Sequence, residues 1–167
     1  APLALWRELT GLEPEAILAG LDLSDDVIPG LRRAAAGQRD PVWARALIEH
    51  SGIHPALLDL LDPADAERFV ADRLRGANAQ EGALVLERVP GPWGPALSEA
   101  AVDHLGRVRP KEAAAHTIAA IGDRLHPSSL PALQVVVEHL PFGAARERAS
   151  RVVTLATLRQ SISEAFT

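Results

Sequence analysis

The chain has 167 residues and a net charge of −5, with 47% hydrophobic and 23% charged residues, which suits a folded domain or a continuous helical-repeat segment. The absence of cysteine excludes a disulfide framework, a thiolate metal site and a cysteine nucleophile. No apolar run approaches the roughly 18 residues that span a bilayer, and no signal-peptide pattern begins the chain. We therefore expect a soluble, cytoplasmic protein without a membrane partner.

Helix-start and helix-stop residues recur along the chain. A polar residue followed by proline typically begins a helix, and a glycine often ends one. These signals predict helices at about 2–9, 14–20, 25–37, 41–50, 55–61, 63–75, 79–88, 95–105, 111–125, 128–139 and 143–166. The predicted glycine stops include Gly76 and Gly106. No clear alternating run of β-branched residues predicts a strand, so the predicted class is all-α.

Three segments have a similar helical pattern. They are PVWARALIEHSG (41–52), PALSEAAVDHLG (95–106) and PALQVVVEHLP (131–141), and each begins with proline and ends just after an acid–histidine pair. Helix pairs of about 35–50 residues are the units of HEAT and armadillo arrays. We predict an irregular HEAT/armadillo-like antiparallel helical repeat array, with a compact helical bundle as the alternative. The predicted domain is 1–167, either complete or the C-terminal segment of a longer protein.

The acid–histidine pairs allow a chemical and a structural interpretation. Adjacent helical side chains point about 100° apart, so Asp103 is poorly placed to orient His104 as a catalytic carboxylate would. A histidine at a helix C-terminus can instead bond free carbonyl groups, which favours the structural interpretation. The alternative is a hydrolase or metal-dependent enzyme in which the fold gathers His104, His126 and His139.

Other catalytic and ligand-binding patterns are weak. His50 and His54 have the spacing of a zinc-binding helix, but Gly52 and Pro55 interrupt that helix. Ser128 follows His126 without a nucleophile elbow, and we interpret it as a helix cap. The glycines match no phosphate loop or dinucleotide fingerprint. We therefore predict a non-enzymatic protein with no catalytic, cofactor-binding or metal-binding residues.

The candidate contact residues lie in the C-terminal half. Trp93, within VPGPWGPAL, fits either core packing or a binding hot spot. The last predicted helix has an apolar stripe formed by Val152, Leu155, Leu158, Ile162 and Phe166, which we expect to close the end of the array. The predicted protein-binding residues are Trp93, Arg146, Arg148, Arg151 and Arg159. Nucleic-acid binding by a HEAT-like array is a further alternative, which the acidic net charge disfavours.

A family resemblance covers about residues 89–167. It rests on the helix start PGPWGPALSEAAVDHL, the segment LHPSSLPALQVVVEHLP and the ending TLATLRQSISEAF. This part of the chain resembles a bacterial domain-of-unknown-function family whose genes tend to lie beside MoxR-type ATPases and von Willebrand A-domain proteins. The resemblance implies a helical adaptor or scaffold that works with an ATPase-type chaperone system, and it carries over no catalytic residues.

Overall fold

A computed structural model of the chain describes Leu58 and residues 61–167. The predicted helices before residue 61, the first repeat copy at 41–52, and His50 with His54 lie outside these described residues. The chain divides into two compact units, residues 1–66 and 67–167. Organisation as one domain stays a prediction.

Six α-helices account for most of the described residues. They are α1 (Pro63–Arg75), α2 (Ala79–Arg88), α3 (Pro95–Arg107), α4 (Lys111–Ile121), α5 (Leu130–Glu138) and α6 (Ala144–Ala165). Short 3-10 turns at Gly122–Arg124 and Pro127–Ser129 connect α4 to α5. The described part contains no strand, which confirms the all-α prediction for these residues. Its helices fit either a repeat array or a compact bundle.

Helix α4 occupies the centre of the second unit and contacts α2, α3 and α6. Ala114 and Ala115, each 1% exposed, keep its packing surface narrow and let neighbouring helices approach closely. Burial of each large aliphatic side chain contributes about 1.5–3 kcal/mol. The largest fully buried side chains are Leu74, Leu86, Ile118, Ile121, Leu133, Val70, Val137 and Val153.

The predicted glycine stop is correct in place at Gly76 and wrong at Gly106. Gly106 lies inside α3, which continues to Arg107, and the Val108 N–H then bonds to the His104 carbonyl. Helix α1 ends at Arg75, just before Gly76, although Gly76 does not have the positive φ of a left-handed stop. Among the described glycines, Gly143 alone has a positive φ, of 150°, and it begins α6 instead of ending a helix. Helix propensity in the flanking residues therefore outweighs an isolated glycine.

Several helix ends are capped in ways that the glycine and proline pattern did not predict. Asn78 and Glu81 form a capping box at the start of α2. The start of α3 has no side chain at its N-cap, Gly94, and Glu67 of α1 takes that role: its Oε1 accepts the Leu97 N–H at 2.9 Å. A Cβ on Gly94 would lie 2.5 Å from that oxygen, so a larger residue at this position would displace the Glu67 carboxylate from its capping bond.

The two described repeat copies share three buried positions when they are aligned on their first proline, although the copy in α3 buries three more. Buried residues occupy the second, sixth and ninth positions after it: Leu97, Ala101 and His104 in one copy, and Leu133, Val137 and Leu140 in the other. The acid–histidine pair at 138–139 lies one residue closer to its leading proline than the pair at 103–104 does. This shorter spacing turns the pair by about 100° around the helix axis. Leu140 consequently takes the buried position of His104, whereas His139 is exposed. The two acid–histidine pairs are therefore not structurally equivalent.

Candidate interaction surface on the last helix

The first half of α6 anchors the helix to the second unit. Ala149 and Val153 are fully buried, and α6 makes its most extensive contacts with α4. Gly122, at the end of α4, permits this approach, because a Cβ there would lie 2.8 Å from Cγ1 of Val152. Arg146 adds a bond from its Nη1 to the Leu140 carbonyl at 3.2 Å. The inward face of α6 is thus held by small and β-branched side chains.

The opposite face of α6 carries large apolar side chains into solvent. Leu155, Leu158 and Ile162 are 48%, 53% and 59% exposed, and Phe166, just after the helix, is 86% exposed. At 100° per residue, the first three lie roughly 140–200° around the helix from the buried Val153. Apart from Val152, which lies against the end of α4, the predicted apolar stripe therefore does not pack into the described core, and α6 is apolar on two opposite sides.

Polar side chains near the end of α6 bond within the helix. The Thr157 hydroxyl donates to the Val153 carbonyl at 2.9 Å, and the Ser161 hydroxyl donates to the Thr157 carbonyl at 3.1 Å. The Gln160 amide reaches the Glu164 carboxylate at 2.9 Å. No residue from 154 to 167 is buried. The second half of α6 is therefore available for contact along its outward face.

Three of the four predicted contact arginines share this outward face. Arg148, Arg151 and Arg159 are exposed, and among the described residues they have no hydrogen-bond or ion-pair partner. Arg146 differs, because its guanidinium carbon lies 4.4 Å from the centre of the Phe142 ring, a cation–π geometry. The Arg146 guanidinium thus contacts Phe142, whereas the guanidinium groups of Arg148, Arg151 and Arg159 have unpaired N–H donors.

The outward residues follow a heptad pattern. We define the outer seam as the six positions spaced alternately by three and four residues: Arg148, Arg151, Leu155, Leu158, Ile162 and Ala165. This is the a and d spacing through which one helix packs against another. The arginines occupy its first third, and apolar residues occupy the rest. The seam is therefore shaped for a helix but is not uniformly apolar.

A groove adjoins the seam near the start of α6. It has a volume of about 540 Å³, and its lining includes Phe142, Arg146, Ser150, Arg151, Thr154 and Leu155. Phe142 is 92% exposed and forms one wall. Because Arg151 and Leu155 belong to both features, the groove and the seam form one continuous surface.

Trp93 lies away from this surface and is packed in the core. It is 4% exposed, and its indole N–H donates to the Val89 carbonyl at 3.1 Å. Its backbone N–H donates to the Arg124 carbonyl at 2.7 Å, while Nη1 of Arg124 bonds the Glu87 carbonyl at 2.9 Å near the end of α2. Of the two interpretations of Trp93, core packing describes its position, so Trp93 adds no area to a contact surface.

His104 is a packed histidine between three helices. It is 3% exposed, its imidazole bonds the backbone of Leu74 in α1, and its ring lies directly against Gly82 of α2. Burial lowers the pKa of His104, the nearby positive charge of Arg107 lowers that pKa further, and the bond to Leu74 opposes both effects. These contacts favour a neutral imidazole with a structural role.

The other two histidines of the enzymatic alternative have local partners of their own. Nδ1 of His126 lies 2.7 Å from the Ser128 hydroxyl and accepts the Ser128 N–H at 3.2 Å, as a residue that caps a helix start does. Nδ1 of His139 lies 2.8 Å from the Val135 carbonyl, which confirms the predicted carbonyl bond at a helix C-terminus. Within Leu58 and residues 61–167, no group of three or more His, Asp or Glu side chains is placed to hold a metal ion.

Comparison with known proteins identifies a family without an assigned activity. No curated protein and no solved structure matches the chain. No helix among the described residues has the length and apolar character needed to cross a membrane. A family model, described as a family of unknown function, matches residues 1–166, well beyond the C-terminal half that carries the resemblance. The chain therefore belongs to the family of unknown function DUF5691.

Proposed function

We propose that the chain is a non-enzymatic protein-interaction module that binds a partner through the outer seam of α6. One observation supports this function above the others: Leu155, Leu158 and Ile162 project from one helix face while being 48–59% exposed. Contiguous exposed apolar patches with a polar rim are typical of protein-binding sites. The first half of the same helix is anchored by its opposite face, and the apolar seam residues extend from it into the half that has no buried residue.

The burial pattern supports a repeat architecture as part of this proposal. The sequence Pro-Ala-Leu lies in the first turn of both α3 and α5, and both copies bury the second, sixth and ninth positions after that proline, although Leu140 lies just beyond the end of α5. We propose that they are equivalent units of an irregular HEAT-like array. The family resemblance makes a MoxR-type ATPase the first partner to test, with the chain acting as its adaptor or scaffold.

Paired variants test the proposed function. Leu158 on the seam and Val135 on α5 are both 53% exposed, so aspartate at either position places a charge on an equally accessible apolar site. Affinity purification from the source organism, followed by mass spectrometry, compares wild type, Leu158→Asp and Val135→Asp. We expect wild type and Val135→Asp to recover the same partners and Leu158→Asp to lose them.

Thermal unfolding of all three proteins checks that each variant is folded, since a surface substitution changes stability by about 0.5 kcal/mol or less. Recovery of identical partners by all three proteins would show that the seam is not the binding surface. The same conclusion would follow if wild type recovered no partner.

A further inference from the structure

We infer that the partner of this surface is an amphipathic helix that carries acidic residues at one end of its apolar stripe. This inference rests on the proposed function and names the chemistry of the partner. It follows from the division of the outer seam into a cationic end and an apolar end. Arg148 and Arg151 occupy the first two seam positions, and Leu155, Leu158 and Ile162 occupy the next three.

The length and spacing of the seam indicate a helical partner. From Arg148 to Ile162 the seam extends about 21 Å along the helix axis, at 1.5 Å per residue. Alternating steps of three and four residues place all of these positions in one narrow line, which a second helix follows when its own apolar residues repeat every 3.5 residues. About two heptads of a partner helix cover this length, and a third heptad leaves a margin at its ends.

The charges on the seam indicate an acidic partner. No acidic residue occupies a seam position, and Arg159 flanks the seam beside Leu158. The guanidinium groups of Arg148, Arg151 and Arg159 have no partner within the described residues, so their N–H donors can bond an incoming carboxylate. Charge complementarity at such flanking positions commonly selects the partner and orientation of paired helices.

The groove provides an anchor point where the cationic end of the outer seam meets its apolar end. The exposed Phe142 ring and Leu155 supply apolar walls, and Arg151 lies between them along the chain. Glu147 also lines the groove, but Arg146 and Arg151 line it too and leave its lining net positive. A large apolar side chain next to a carboxylate would fit both parts of this lining.

A second copy of the chain and an anionic membrane are less suitable occupants. An antiparallel pair centred near Leu158 would bring the two Arg159 side chains together, and a parallel pair would align Arg148 and Arg151 with themselves. A helix that lies on a bilayer buries one broad apolar face, whereas α6 is apolar on two opposite sides and packs one of them on α4. An acidic helix satisfies the arginines and covers the apolar positions at the same time.

A displayed peptide library tests this inference on the full chain. The library consists of helical peptides about three heptads long. Leucine is fixed at the peptide a and d positions that would face the apolar part of the outer seam. Glu, Lys or Gln is randomised at the other a and d positions and at the positions that flank them. We expect Glu to be enriched at one end of the selected helices. The double variant Arg148→Glu/Arg151→Glu should bind the selected peptides about tenfold more weakly, and this difference should shrink at high salt.

Charge reversal provides the matched controls. The variant Arg73→Glu/Arg75→Glu makes the same change in net charge on α1 and should bind the acidic peptides as wild type does. Peptides with Lys in place of the selected Glu should recover binding to Arg148→Glu/Arg151→Glu. This recovery distinguishes complementary charge pairing from damage to α6.

Each other outcome would overturn the inference. Enrichment of Lys, or no charge preference, would show that the partner is not acidic, and the proposed function would stand if Leu158→Asp still lost its native partners. Binding to phosphatidylglycerol vesicles without peptide binding would identify a membrane occupant. A dimer in sedimentation equilibrium that Leu158→Asp abolishes would identify a second copy. An absence of peptide binders, together with native partners that Leu158→Asp retains, would overturn the proposed function as well.

Discussion

Substitution of Gly82 by alanine should destabilise the protein through His104. A Cβ on Gly82 would lie 2.8 Å from Cδ2 of His104 and would overlap the other side of the ring. The imidazole has little room to move, because it is 3% exposed and bonded to the backbone of Leu74. The added methyl group therefore has to displace a buried, hydrogen-bonded ring.

The expected loss can be worked out from three contributions. Overpacking a core usually costs about 1–3 kcal/mol. Breaking the bond to Leu74 adds about 1–3 kcal/mol if the buried imidazole N–H stays unpaired. Alanine in place of glycine within a helix returns about 0.5–1 kcal/mol. We expect a net loss of about 2 kcal/mol or more in the free energy of unfolding.

A double-mutant cycle with urea denaturation measures this effect. The cycle compares Gly82→Ala, His104→Ala and the double variant. Gly106→Ala is the helical-glycine control, because its nearest neighbour would be Val136 Cγ2 at an ordinary 3.9 Å, and it should leave stability unchanged or slightly raised. In the His104→Ala background, Gly82→Ala should cost almost nothing. An equal cost in both backgrounds would refute the proposed contact between the ring and the glycine.

Two further predictions concern ionisable side chains that hold the helices together. Burial lowers the pKa of His104 in the folded protein, so the unfolded chain binds a proton first as the pH falls below about 6.5. The free energy of unfolding should therefore decrease from pH 7 to pH 5, by at most about 1.4 kcal/mol per pH unit for this group. In urea titrations, His104→Gln should show a weaker dependence of that free energy on pH. Equal pH dependence in wild type and His104→Gln would contradict this assignment. Glu67→Ala should lower the free energy of unfolding by about 1 kcal/mol, because the Leu97 N–H loses its cap. Glu67→Gln should retain most of that stability, because its amide oxygen can still accept the bond. Equal losses for the two variants in denaturant titrations would contradict the capping role.

Local sequence signals predicted the helices well. Proline at 63 and 95 correctly marked two helix starts, and the predicted start at residue 79 is also correct. These signals act within one turn of the chain, so they are readable without tertiary information. Glycine was a poorer guide, because Gly106 is accommodated inside α3 by the residues on both sides of it.

Features that depend on distant contacts were not readable in the same way. Glu67 caps α3 from 30 residues away, and Nη1 of Arg124 bonds the Glu87 carbonyl across 37 residues. The similar acid–histidine pairs suggested equivalent roles, but one residue fewer before His139 turns it to solvent while His104 is buried. A comparison of positions counted from the leading proline would have revealed this difference.

The candidate surface was only partly predictable. Steps of three and four residues identified the apolar residues of α6, and three of the four arginines predicted as contacts are exposed. The sequence could not show which side of α6 would be buried, because Ala149 and Val153 form a second, smaller apolar face that packs on α4. Small residues at the packed face left the larger side chains exposed.

Site-specific photocrosslinking tests the central claim most directly. A photoreactive phenylalanine analogue replaces Leu158 in one protein and the equally exposed Val135 in another, and each protein is irradiated inside cells of the source organism. If the outer seam binds a protein partner, position 158 should give an adduct of defined mass that position 135 does not give. No adduct at position 158, or the same adduct at both positions, would contradict the assignment of this helix face as the interaction surface.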